Sequence, residues 1–187
     1  QLLDLIDGQP AQVFAKAMGS PGHPTRTTAV ITLAIHVADA LAHLHHHRII
    51  HRDIKSANVM VRADQSACLI DFDAAILPDQ PIRAGRFVGT YSYAPPEQIR
   101  GETVDGRADI YAMGVLLYRM LCGRRPFEAE TTEALIDHHL YTRPRLLDAQ
   151  VEGIPEQVVN LTMRMLEKDP EHRPQSADEV AQSLRQA

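Results

Sequence analysis

His51-Arg52-Asp53-Ile54-Lys55-Ser56-Ala57-Asn58 gathers acid, base, amide and hydroxyl side chains into one octet between two apolar segments. Asp53 is an acceptor able to orient a hydroxyl and take its proton. Lys55, two residues on, is a compact point charge suited to a phosphate oxygen. Asn58 offers a neutral carbonyl oxygen, a hard ligand that suits Mg²⁺. Arg52 is a permanent cation beside the acid. Taken singly, Asp53 or Asn58 would read as a turn residue. The octet together with the landmarks below carries more than a turn.

Upstream, the Pro- and Gly-rich residues 19–27 predict a loop, followed by a long helix over about 28–46. Ile31, Ile35, Ala38, Leu41, Ala42 and His45 keep helical spacing along one face. The helix ends in His43, His45, His46 and His47. Adjacent histidines point in different directions around a helix, and such side chains suit a helix C-terminus without any metal. Residues 1–8 read as a short apolar turn of helix ending at Gly8.

Downstream, Val59-Met60-Val61 and Ala67-Cys68-Leu69-Ile70 are short apolar runs separated by a polar turn, the pattern of a β-hairpin. Asp71-Phe72-Asp73 follows, then residues 74–88, a stretch without Ser, Thr or Tyr. Gly89 to Glu97 and the nearly all-apolar run from Asp105 to Gly123 come next. The latter predicts a helix buried in the middle of the domain and stopped by Gly123. Shorter helices are expected at 131–139, at 155–167 behind Pro155, and from a Ser176 cap, with Glu179 three residues on, to about Arg185.

Composition narrows the function classes. The chain has 187 residues, 44% hydrophobic and 23% charged, enough for one domain or a large piece of one. Net charge is −5, so no basic excess points to nucleic acid. No apolar run reads as a membrane span, no leader is evident, and the first residue, Gln1, suggests a fragment. Cys68 and Cys122 lie in apolar segments and read as buried thiols, in keeping with a reducing, cytoplasmic setting.

The octet resembles the catalytic loop of the protein-kinase family, H-R-D-x-x-x-x-N, at all four defined positions. Asp71-Phe72-Asp73 stands where that family has D-F-G, Ala94-Pro95-Pro96-Glu97 where it has A-P-E, and Gly123 to Phe127 matches G-x-x-P-F. The short loops look most like those of bacterial kinases of the eukaryotic type. The resemblance spans almost the whole chain, residues 1–187, but only the larger lobe. It implies an α+β, mainly α fold: a helical C-terminal lobe with a small β-hairpin. The Gly-rich phosphate loop and the strand lysine of the N-terminal lobe have no counterpart here.

What the resemblance implies for the site is specific. Asp53 is the catalytic base, with Lys55 and Thr90 beside it. Asn58 and Asp71 are the Mg²⁺ ligands. Met60, Lys55, Asn58 and Asp71 contact ATP, Met60 at the adenine. Lys55 and Thr90 favour serine or threonine of a protein substrate as acceptor. Phe72 packs on His51, Asp109 holds the backbone of His51 and Arg52, and Glu97 pairs with Arg173. Arg48, often glycine in the family, is expected at positive φ. Asp73 replaces the family's glycine and, in an extended segment, would share a side with Asp71. With no phosphorylatable residue in 74–88, Asp79 or no charge at all holds that loop. The alternative is a degenerate or truncated kinase acting as a protein-binding scaffold.

Overall fold

The computed structural model of the chain describes residues 7–78, 87–147 and 151–187. The helix expected at 1–8 falls largely outside these, and its last two residues, Asp7 and Gly8, are not helical. Asp79 also lies outside the described residues.

Three short strands form one antiparallel sheet, β1 (Gln9–Pro10), β2 (Val59–Val61) and β3 (Ala67–Leu69), in that order. The expected hairpin β2–β3 forms, with Val59 opposite Leu69 and Met60 opposite Cys68. Strand β1 is unheralded in the sequence. Its Pro10 sits opposite Met60 on the sheet edge, where a missing N–H costs no ladder bond.

Among the described residues seven α-helices complete the fold: α1 (Ala11–Ala17), α2 (Pro24–His46), α3 (Pro96–Ile99), α4 (Gly106–Cys122), α5 (Thr132–Tyr141), α6 (Glu156–Met165) and α7 (Ala177–Arg185). Helix α2 begins four residues before the position expected. Pro24 is not loop punctuation but the first helical residue, with its φ preset for the helix. The His23 ring accepts from Thr25 N–H at 3.3 Å as the cap. Pro155, expected inside the first turn of α6, is instead its N-cap residue. Ser176 caps α7 through Glu179 N–H at 3.1 Å, but Glu179 returns its bond to Gln175 N–H, one residue before the cap.

Helix α4 is buried in the middle of the domain, as expected: fourteen of its seventeen residues are buried, so it forms the axis of the fold. Asp105 caps its start and Gly123, at φ 83°, ends it in the left-handed conformation that glycine adopts without strain. Helices α2, α6 and α7 pack around it. By length and composition α2 is apolar enough to cross a membrane, which corrects the expectation that no run has that reach. Here Val30, Leu33, Val37 and Leu41 of α2 are buried in the common core. Ile31 and Ile35 of the expected face are only half-buried, because the buried stripe lies one residue round. Of the two thiols, both free, Cys122 is buried and Cys68 only half-buried.

Arg26 ties these helices together from inside. Its guanidinium donates twice to the Met120 carbonyl, at 2.9 and 2.8 Å, and once to that of Gly19. Burial lowers its pKa.

Candidate active site

The octet runs between α2 and β2, irregular as far as Lys55 and then one 3₁₀ turn over Ser56–Asn58, and a single carboxylate holds its entry. Asp109, in the first turn of α4 and fully buried, accepts His51 N–H at 2.9 Å and Arg52 N–H at 2.8 Å. Its Oδ2 also meets His45 Nε2 at 2.9 Å. The octet therefore hangs from two core helices. Arg52 takes φ 61° at this point, a left-handed conformation that the two Asp109 contacts stabilise. Its Nε donates to the Ala74 carbonyl at 2.6 Å. Burial pulls the Arg52 pKa down, with Asp109 opposing.

Lys55 and Asn58 of the octet converge on Asp53, which is buried, and Thr90 joins them. Thr90 Oγ1 donates to Asp53 Oδ1 at 2.7 Å. Lys55 Nζ donates to Asp53 Oδ2 at 2.5 Å and to Thr90 Oγ1 at 3.1 Å. Asn58 Nδ2 donates to the Asp53 backbone carbonyl at 3.0 Å and to Oδ2 at 3.1 Å. Asp53, Lys55, Asn58 and Thr90 thus form one connected cluster. The Asn58 amide is oriented by its nitrogen, which leaves its Oδ1 as a hard oxygen for a cation.

Asp71 reaches the cluster through the backbone. Ile70 N–H donates to the Asn58 carbonyl at 3.0 Å, so the residue after Ile70 emerges beside Asn58. Asp71 itself is exposed and at φ 64°. The segment 71–73 is therefore turned rather than extended, and the same-side argument for Asp71 and Asp73 does not apply. Asp73 has no positive φ, so it avoids the steric cost expected where glycine is replaced. Its N–H points at Asp71 Oδ1 at 3.5 Å. The Phe72 ring lies 4.9 Å from that of His51, and His51 Nε2 meets the Ile70 carbonyl at 3.2 Å. Arg48 takes φ 57°, as expected for its position at the exit of α2.

Met60 stands on β2 between Val59 and Val61. Those two are buried and Met60 is half-exposed on the opposite face, as strand alternation requires. Glu97 and Arg173 form a buried bidentate pair, with N···O distances of 2.7 and 2.9 Å. Among the described residues no group of three or more His, Cys, Asp or Glu side chains is arranged to hold a metal ion, and the histidines ending α2 form no such set.

Two positioning residues escaped the sequence reading. Gln98 Nε2 donates to the Arg52 carbonyl at 3.0 Å and to the Val88 carbonyl at 2.6 Å, stapling the octet to the segment that carries Thr90. Between them Gly89, at φ 123°, lets the two chains close: a Cβ there would stand 2.9 Å from the Arg52 carbonyl oxygen. His45 read as one more core-facing position, yet it is a ligand of Asp109. No local pattern distinguishes either role, since their partners lie 46 and 64 residues away.

The protein kinase domain profile matches residues 12–184. The chain is 34% identical, over 98% of its length, to serine/threonine-protein kinase PkaA of Streptomyces coelicolor, and covers 33% of that protein. It is 33% identical over 96% of its length to the DNA damage-responsive serine/threonine-protein kinase RqkA of Deinococcus radiodurans, covering 27% of it. It is 32% identical over 98% of its length to serine/threonine-protein kinase PknB of Mycobacterium tuberculosis, covering 29% of it. This chain belongs to the protein kinase domain family, and these relatives are bacterial kinases of the eukaryotic type. It spans about a third or less of the length of these relatives.

Proposed function

We propose that the protein is a serine/threonine kinase that transfers the γ-phosphoryl group of ATP to a hydroxyl of a protein substrate, with Asp53 as base. The observation that carries this reading is the cluster in which Lys55, Asn58 and Thr90 all bond the Asp53 carboxylate. Such an arrangement fixes a proton acceptor and places a cation two residues from it, and positioning and charge neutralisation are what phosphoryl transfer asks of a protein.

The acceptor hydroxyl oxygen attacks the γ-phosphorus while the bond from that phosphorus to the bridging oxygen breaks. ADP leaves with the electron pair, and the hydroxyl proton passes to the Asp53 carboxylate. Lys55 Nζ offsets negative charge on the transferred group. Asn58 and Asp71 offer an amide oxygen and a carboxylate, a donor pair that suits Mg²⁺, which when bound neutralises phosphate charge. Met60, on the face of β2 turned from the core, suits contact with the adenine. Lys55 and Thr90 side by side, and the names of the relatives, support serine or threonine as acceptor. On this reading the chain is the helical lobe, the phosphate loop and strand lysine come from an N-terminal lobe, and the reaction uses cytoplasmic ATP.

The test is transfer of labelled phosphate from ATP with Mg²⁺ by the full-length protein, beside its Asp53→Asn variant. Transfer to Ser or Thr that disappears in the variant is expected. No transfer from the folded wild-type protein would overturn the reading and favour a protein-binding scaffold.

A further inference from the structure

A small basic pocket opens where the C-terminal ends of α4 and α5 meet. It is lined by Arg124, Arg125, His138, Arg143 and Arg145, with Glu128 as the one acid among the described residues of its wall, and its volume is about 250 Å³. Small-molecule sites commonly occupy about 300–1,000 Å³, so this one suits one or two side chains better than a whole metabolite. Four arginines in one pocket stand out on a chain whose net charge is −5. Arg143 and Arg145 are exposed, and among the described residues neither forms an ion pair. Arg125 Nε is buried with no hydrogen-bond partner.

Arg125 connects the pocket to the segment that carries Thr90. Arg125 lies over the Tyr93 ring, 5.9 Å from its centroid. Arg119, from α4, donates to the Tyr93 hydroxyl at 2.8 Å. Tyr93 is three residues from Thr90, whose hydroxyl bonds Asp53. A substrate chain that followed this segment from Asp53 to Tyr93 would meet Arg125, the pocket residue that touches it. The local field is positive on a second ground. The pKa of buried His139 is depressed to about 3, first by burial and then by repulsion from Lys168, His138 and Arg125.

We propose that Arg125, Arg143 and Arg145 form a docking site for acidic side chains of the protein substrate, selecting substrates with Asp or Glu near the phosphorylated residue. Guanidinium forks match carboxylates bidentately, and an acidic partner is steered towards a basic pocket on a chain that otherwise repels it. The inference takes from the kinase reading only that the occupant is a substrate.

Two measurements on the full-length protein test it. The first is fluorescence anisotropy with a labelled Asp/Glu-rich peptide that lacks Ser, Thr and Tyr, so binding is read without catalysis. The Arg143→Glu/Arg145→Glu variant should bind it about tenfold more weakly or worse. The Lys16→Glu/Arg62→Glu variant, with the same change in net charge at exposed sites elsewhere, should bind as the wild type does. The second is phosphorylation of paired Ser peptides with acidic or neutral flanks. The wild type should show a lower KM for the acidic peptide, and the Arg143/Arg145 variant should lose that preference with kcat little changed. Equal binding by the two charge-reversed variants, or phosphorylation without acidic preference, would overturn the docking site and leave the kinase reading standing. Selective binding without any phosphorylation would keep the site and remove the kinase.

Discussion

Arg173 and Glu97 meet in the core across 76 residues of chain, with two N···O contacts of 2.7 and 2.9 Å. Arg173 is 1% exposed, donates also to the carbonyls of Arg107, Glu167 and Lys168, and lies 4.9 Å from the centre of the Tyr111 ring. Removing it strands a buried carboxylate and three carbonyls together. Arg173→Met is therefore expected to lower the unfolding free energy by about 3–5 kcal/mol, measured by urea titration. Glu97→Gln keeps an acceptor in place and is expected to cost less. The double variant should cost less than the sum of the two. Additive losses would show that the pair is not a coupled unit.

Gly89 permits the close approach of the octet to the segment bearing Thr90. An added Cβ would fall 2.7 Å from Gln98 Nε2 and 2.9 Å from the Arg52 oxygen, at a φ that L side chains rarely adopt. Gly89→Ala should destabilise the protein by about 1–3 kcal/mol and displace Thr90 from Asp53. Thermal unfolding reads the first effect and phosphate transfer the second; an unchanged melting temperature would contradict this account.

How much of this was open to a sequence reader depends on where each partner lies in the chain. The hairpin, α4 with its glycine stop, and α7 with its serine cap follow from local periodicity and capping, and the structure keeps them. The octet announced the fold because its residue types recur at fixed spacing. Strand β1 stayed hidden because two residues carry no period, and α2 was misjudged at its start because Pro24 reads equally as a breaker or a first-turn residue. Gln98 and His45 were illegible: a glutamine and one histidine among several have meaning only once distant chain is folded against them. The turned backbone at Asp71 was likewise unreadable, since aspartate tolerates extended and left-handed conformations alike.

Asp73 illustrates that last point with an experiment. It is exposed and its φ is not left-handed, so a glycine there relieves no strain. Asp73→Ala should shift stability by no more than about 0.5 kcal/mol, measured by urea unfolding. A larger loss would mean that the weak contact to Asp71 holds the turn.

Acid should unfold the protein partly through His139. The ring is fully buried, its Nδ1 is 3.0 Å from the Tyr111 hydroxyl, and Nε2 has no partner. Its pKa is about 3 when folded, against an ordinary 6.5. Between those values the unfolded chain binds the proton and the folded chain does not. Stability is therefore held above about pH 6.5 and falls as pH drops towards 3. His139→Gln keeps hydrogen-bonding capacity without titrating. Urea unfolding at pH 7.5 and pH 5 should show a smaller acid loss in that variant, and equal losses would exclude His139 as the sensor.

The carboxylate of Asp109 has a consequence for how the molecule breathes. The amides of His51 and Arg52 belong to no helix or ladder, yet they end on a buried side chain in the first turn of α4. In deuterated solvent they would keep their protons as long as core helical amides do, because releasing them requires α4 to move. The chain here is irregular only in its dihedral angles; in opening free energy it would rank with the core helices.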